Sequence, residues 1–94
     1  MMIQFVQFET SLSDAEVRAV ADARKPDFQA IPDLHQKYYL KLNAPNQYGG
    51  FYIWDSPSAM ASFRDSELAK TIPAAYGIVG APKVDIHELI MALR

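Results

Sequence analysis

A chain of 94 residues, 50% hydrophobic and 21% charged, carries enough apolar material for one compact core and not for two. It has no cysteine for a disulfide framework or a thiolate metal site, and a formal charge of −2 with nine scattered Lys and Arg gives no basic field for a nucleic-acid backbone. No stretch reaches the ~18 apolar residues of a membrane span, and the opening MMIQFVQFE lacks the charged-then-apolar order of a signal peptide. The expectation is a single cytoplasmic domain over residues 1–94, with neither nucleic acid nor membrane as partner.

Met2 to Glu9 is rich in β-branched and aromatic residues and predicts a strand, with Ile3, Phe5 and Gln7 on one face and Met2, Gln4, Val6 and Phe8 on the other. Ser13-Asp14-Ala15-Glu16 spells a capping box, with Leu12 and Val17 at the staple positions, so a helix starts there with Val17, Val20 and Ala21 inward. The Lys25-Pro26 step is expected to end or kink it, leaving Phe28 and Ile31 in a short connection. Leu34 to Asn43 alternates as a second strand, with Leu34, Gln36, Tyr38, Leu40 and Leu42 opposite His35, Lys37, Tyr39 and Lys41. Turn chemistry at residues 43–47 then leads into a third strand, Tyr48 to Asp55, and the two strands form a hairpin. Gly49 and Gly50 predict a bulge or a close backbone approach within it.

Ser56-Pro57 is an N-cap followed by a proline at the first helical position, which opens a second helix with Met60, Phe63 and Leu68 inward. Thr71-Ile72-Pro73 interrupts that helix, and Ala74 to Tyr76 adds a turn closed by Gly77 in the left-handed conformation. From Pro82 the signals conflict. Val84 and Ile86 alternate as in a strand, whereas Ile86, Leu89, Ile90 and Leu93 have helical spacing. The order β-α-β-β-α lacks one strand of a split βαβ sheet, so the expectation is a strand through about His87 or Glu88, with residues 89–94 open between strand, helix and a tail crossing to a second copy.

The expected fold is therefore α+β: a ferredoxin-like βαββαβ sandwich whose four-stranded antiparallel sheet carries its helices on one face. The third strand puts Phe51 and Ile53 on one side and Tyr52 and Trp54 on the other, so large apolar groups stay uncovered whichever side the helices take. Pairing of two copies through the bare faces, with closed twofold symmetry, resolves this, and a homodimer is expected.

Ile31-Pro32-Asp33-Leu34, Lys37-Tyr38-Tyr39, the run Gly49-Gly50-Phe51-Tyr52-Ile53-Trp54-Asp55-Ser56, then Ala59, Phe63 and Tyr76-Gly77 together resemble the YdhR-like monooxygenase family. The resemblance covers nearly the whole chain and is sharpest at GGxYxWxS. It implies a dimeric α+β barrel and a suspected role in oxygenating small hydrophobic aromatic compounds, phenol- or polyketide-like. Related antibiotic-biosynthesis monooxygenases and haem-degrading enzymes also carry a tryptophan at the place of Trp54. The haem-degrading type needs a histidine on the second helix, and residues 57–77 contain none. The expectation is an enzyme without cofactor, metal or haem; the alternative is a non-catalytic dimer that binds a small molecule.

There is no phosphate loop, no metal-spaced His or Glu pair and no hydrolytic triad in the spacing. A cofactor-free oxygenase needs an apolar slot, a base and hydrogen-bond donors. Candidates for the chemistry are Trp54, whose indole N–H could orient a substrate oxygen, Tyr52, whose hydroxyl could donate, and His35 as the base. Gln4, Tyr38, Phe51 and Phe63 are the candidate substrate contacts. Each has a plainer role available, in core packing or at the dimer seam. Lys37 and Lys41 read as solvated or snorkelling charges, and no chemistry is assigned to them.

Overall fold

The computed structural model describes residues 1–94, in the order β1 (Met2–Thr10), α1 (Asp14–Gln29), β2 (Leu34–Lys41), β3 (Gln47–Trp54), α2 (Pro57–Arg64), α3 (Glu67–Lys70), α4 (Ile72–Ala75) and β4 (Ile78–Glu88). The strands form one antiparallel sheet in the order β2-β3-β1-β4, with the helices on one face, as the split βαβ reading requires. No helix is long and apolar enough to cross a membrane.

Local chemistry sets most boundaries where the sequence places them. Ser13 accepts from the Glu16 amide while the Glu16 carboxylate accepts from the Ser13 amide, so the capping box is formed in full. Ser56 caps α2 ahead of Pro57, and Gly77 turns the chain into β4 at φ 53°. The bonded strand, β4, ends at Glu88, and the residues after it form neither strand nor helix.

Three expectations need correction. The second helix stops at Arg64 rather than at Thr71, because Ser66 caps a separate turn, α3, by accepting from the Ala69 amide. Pro26 does not end α1, which continues to Gln29 with the proline inside it. The missing donor forfeits one helical bond, yet the last turn is anchored by Phe28, which is buried against the rings of Phe63 (5.9 Å) and Tyr52 (6.3 Å). Phe28 thus belongs to the helix and to the core rather than to a connection. In β2 the expected simple alternation is broken: Leu34 pairs with Trp54 and Gln36 with Ile53, a bulge that takes His35 out of register.

Only 11 of the 94 residues are buried, so the core is two small clusters rather than a continuous layer. One gathers Phe28, Tyr52, Trp54, Ala59 and Phe63, and the other Val17, Tyr48 and Tyr76. Both rest on the same face of β3, because Tyr48, Tyr52 and Trp54 share a parity. The opposite face carries Ile3, Phe5, Phe51, Ile53, Tyr38 and Leu40, with Phe51 in ring contact with Phe5 (5.8 Å) and Tyr38 (6.4 Å). No element of the chain covers this face, and Tyr38 is 52% exposed there. A Cβ at Gly49 would lie 2.9 Å from the Phe5 ring, which is the close approach expected of that glycine.

Trp54 is the one large side chain with no exposure at all, stacked on Tyr52 at 5.9 Å and 5.0 Å from Phe63. Trp54→Ala is expected to lower the unfolding free energy by about 3–5 kcal/mol, the usual cost of emptying a packed aromatic site. Urea denaturation followed by circular dichroism measures it; a loss under ~1 kcal/mol would mean that this cluster does not organise the fold.

Candidate functional site

The space between the two clusters is the site. On the helix-facing side of β3, Tyr48 belongs to one cluster and Tyr52 to the other, and the position between them is Gly50. Gly50 pairs with Val6 of β1 and Tyr39 of β2, and its lack of a side chain lets the Tyr52 ring lie against the backbone, 2.9 Å from the place of a Cβ. A cavity of about 400 Å³ lies over this part of the sheet, large enough for a compact aromatic ligand. Its walls include Gln4, Tyr39, Tyr52 and Phe63 around one half and Val17 and Tyr76 around the other.

Among the expected site residues, Gln4, Tyr52 and Phe63 are brought together on this cavity. Trp54 stands behind them: its indole N–H donates to Gln4 Oε1 at 3.0 Å, so it fixes the Gln4 amide and does not reach the cavity. His35 lies outside, on a smaller neighbouring recess of about 260 Å³, half exposed and 3.9 Å from Asp55 Oδ1. Tyr38 and Phe51 sit on the opposite face of the sheet, because their parity on β2 and β3 turns them away from the helices.

The residue that sequence reasoning passed over is Lys37. It pairs with Tyr52 across the β2–β3 ladder and points to the helix side, where its Nζ stands 3.5 Å from the Phe28 ring centroid, 4.3 Å from Tyr39 and 4.6 Å from Tyr52. It borders both the cavity and the smaller recess. The cavity wall has four cations, and three of them have an acidic neighbour: Arg18 (2.8 Å) and Lys41 (3.3 Å) meet Asp14, and Arg64 meets Asp65 (3.6 Å). Lys37 has none.

Burial takes the Lys37 ammonium out of water, and the like charge of Arg24 adds to the effect; together they bring its pKa from 10.5 to about 7. The aromatic faces oppose this, but cation–π contacts return only ~0.5–2 kcal/mol, whereas each tenfold change in proton affinity is worth about 1.4 kcal/mol, so desolvation wins. Arg24 itself spans from α1 to Leu68 O (2.9 Å) and Thr71 Oγ1 (3.0 Å), with its Nε buried and unpartnered. Burial also raises the phenols, pushing Tyr76 up to about 12 and Tyr52 higher still, so both remain neutral donors across the physiological range.

At the far wall Asp14 is held at about 2 by the Tyr48 hydroxyl, which donates to it at 2.8 Å, and then by Arg18 and Lys41. That carboxylate is committed to its own partners and does not line the cavity. No cluster of three or more His, Cys, Asp or Glu is placed to hold a metal ion.

No family model and no curated protein matches the chain. Solved structures do. It superposes on a protein of unknown function, NE2512 of Nitrosomonas europaea, with a TM-score of 0.76 at 21% identity over 97% of this chain and 90% of that one. It superposes equally on SnoaB, a cofactor-independent oxygenase of Streptomyces nogalater, with a TM-score of 0.75 at 16% identity over 98% and 96% of the two chains. A third similar structure, provisionally described as an antibiotic biosynthesis monooxygenase of Caulobacter crescentus, gives 0.78 at 17% identity over 96% and 91%. The fold is thus the ferredoxin-like one shared with antibiotic biosynthesis monooxygenases. The YdhR-like assignment rests on the sequence motifs alone.

The depressed proton affinity of Lys37 has a consequence for stability. Its unfolded value near 10.5 lies above its folded value of about 7, so between them the unfolded chain binds more protons and stability rises with pH. The raised tyrosines act with the opposite sign and only above about pH 10, outside this window. Lys37→Met is therefore expected to be more stable than the parent at pH 7, by roughly 1–4 kcal/mol as for buried ionic groups replaced by apolar ones of similar volume, and to lose the rise between pH 7 and 10. Thermal unfolding across that range decides it; an unchanged pH profile would place the amine in water.

Proposed function

We propose that the chain is an oxygenase of small hydrophobic aromatic substrates, phenol- or polyketide-like, that works as a homodimer without metal, haem or another cofactor. The observation that carries this reading is the aromatic cavity over Gly50 and Tyr52, in a fold that a cofactor-independent oxygenase shares. An electron-rich anthrone or phenol losing a proton in such a cavity yields an anion that can pass one electron to dioxygen. Recombination of the radical pair forms a carbon–oxygen bond, and protonation gives a hydroperoxide. Loss of water leaves the carbonyl: R₂CH₂ + O₂ gives R₂C=O + H₂O, with the substrate supplying the electrons.

In this reading Phe63 and Tyr52 flank the substrate ring, and the Tyr52 hydroxyl and the Gln4 amide are donors to its oxygen. Trp54 acts by holding Gln4, and His35 stays at the rim. The uncovered sheet face with Phe5, Phe51 and Tyr38 serves the dimer. Phe51→Asp is expected to shift the protein to monomers in light scattering at micromolar concentration; a parent that is already monomeric removes that part of the reading.

Binding without turnover is the second reading, favoured by the absence of any carboxylate or imidazole from the cavity wall. Oxygen uptake with 1,8-dihydroxyanthrone, corrected for its autoxidation, separates the two. The expected result is uptake that falls at least about tenfold in Gly50→Val, whose side chain would enter the cavity against the Tyr52 ring, 2.9 Å from the position of an added Cβ. Tight binding with no uptake would establish the binding module, and turnover under strict anaerobiosis would make the protein an isomerase or cyclase.

A further inference from the structure

We infer that Lys37 is the proton acceptor of this cavity, and that hydroxyarenes bind there as oxyanions with the proton resting on the lysine amine. The inference rests on the reading of the cavity as an aromatic-substrate site, and it names the base that this reading lacks.

Placement comes first. Lys37 is fixed by the ladder opposite Tyr52, its amine lies among the rings of Phe28, Tyr39 and Tyr52, and it borders the cavity. A planar ligand packed on Tyr52 and Phe63 would bring a ring hydroxyl within reach of that amine. Of the other groups a base could come from, His35 lies outside the cavity on the smaller recess, near Asp55, and Asp14 is committed to Tyr48, Arg18 and Lys41.

Charge comes second. The titratable groups around Lys37 are Arg24 from α1, Tyr39 from its own strand, Tyr52 from β3 and Tyr76 from the turn before β4, with Lys25 and His35 across the smaller recess and Lys41 and Arg64 further along the cavity wall. None is acidic near neutral pH; Lys41 and Arg64 have Asp14 and Asp65 beside them, so no carboxylate compensates Lys37 itself, which faces the like charge of Arg24. Such a surrounding disfavours the lone ammonium and favours an ammonium that has a ligand anion beside it. Burial in the same place lowers the proton affinity of the amine, so that a substantial share of it is neutral at physiological pH.

The step is a proton transfer and balances by itself: ArOH + R–NH₂ gives ArO⁻ + R–NH₃⁺. The O–H bond breaks with its electron pair left on oxygen, and the new N–H bond uses the nitrogen lone pair. No oxidant takes part. In the oxygenation proposed above, the ammonium then returns that proton to the peroxide oxygen once dioxygen has added.

The test uses 2-naphthol, whose anion absorbs at longer wavelength than the neutral form. At pH 7.5 the parent protein is expected to show the naphtholate band on binding, and Lys37→Met is expected to lose it. A second measurement needs no variant: acetic anhydride at pH 7.5 should acylate Lys37 at least about tenfold faster than Lys25, Lys70 or Lys83, and naphthol should block that reaction alone. Naphthol bound with its neutral spectrum, no naphthol binding, or a Lys37 no more reactive than the other lysines would overturn the inference. A naphtholate band without oxygen uptake from 1,8-dihydroxyanthrone leaves the inference standing and removes the oxygenase reading. Oxygen uptake unchanged in Lys37→Met removes the base and leaves the oxygenase.

Discussion

The structure depends on one row of side chains, the helix-facing parity of β3. Tyr48, Tyr52 and Trp54 are the largest groups of the core, and Gly50 between them carries none. A strand presents every second residue to one face, so a glycine in such a row lets a neighbouring ring lie on the backbone. The Tyr52 ring does so, 2.9 Å from the place a Cβ of Gly50 would take, while across the ladders stand Val6, which is short, and Tyr39, which is 42% exposed. The two core clusters meet the sheet on either side of this glycine, and the cavity lies over the row between them.

That arrangement also explains the electrostatics. Lys37 and Lys41 are spaced by two pleat repeats on β2, with Tyr39 between them, and so share the helix side of the sheet. Lys41 meets the N-terminal turn of α1, whose Asp14 compensates the ammonium at 3.3 Å from behind the wall. At Lys37 the wall is Phe28, brought there because α1 runs on through Pro26 to Gln29. Two lysines of the same strand and parity therefore end in different states, one paired and one surrounded by ring faces. The difference lies in which part of α1 each one meets.

Much of this was legible in the residues. The capping box at Ser13 to Glu16, the Ser56-Pro57 helix start and the β-α-β-β-α order each have a local physical cause, and they lead to the fold without reference to distant contacts. What was not legible depended on tertiary packing. Pro26 reads as a stop because its ring forfeits a helical bond, and only the burial of Phe28 shows that the helix gains more by continuing. Lys37 reads as solvated because β2 alternates in two nearly equivalent ways, and the apolar-looking set Tyr38 and Leu40 suggests the wrong face for the helices. The bulge at His35 hid the parity further, since Leu34 and Lys37 fall on one side only when a residue between them is left unpaired. Gln4, Tyr52 and Phe63 could be named in advance; that they share a cavity, and that Trp54 is bonded to Gln4 behind it, required the register of β1 on β3.

The same alternation ties the site to the bare face of the sheet. Each strand of the hairpin spends half its residues on the cavity and half on the surface behind it, so Tyr52 and Phe51, adjacent in sequence, serve opposite sides. A slip of one residue in β3 would move Tyr48, Tyr52 and Trp54 out of the core and put Phe51 and Ile53 in their place. The Phe5 ring lying against Gly49 resists such a slip, because any residue with a side chain arriving at that position would meet the ring or the Val6 carbonyl, at 2.9 and 3.0 Å from an added Cβ. Gly49 and Gly50 thus act on opposite faces: one lets the Phe5 ring behind the sheet close against the backbone, and the other lets the Tyr52 ring do so in front of it. Adjacent glycines in a central strand weaken it by lost packing and added chain entropy. Here that loss is offset by the burial of Trp54 and Phe28, which join Tyr52 and Phe63 in one aromatic cluster.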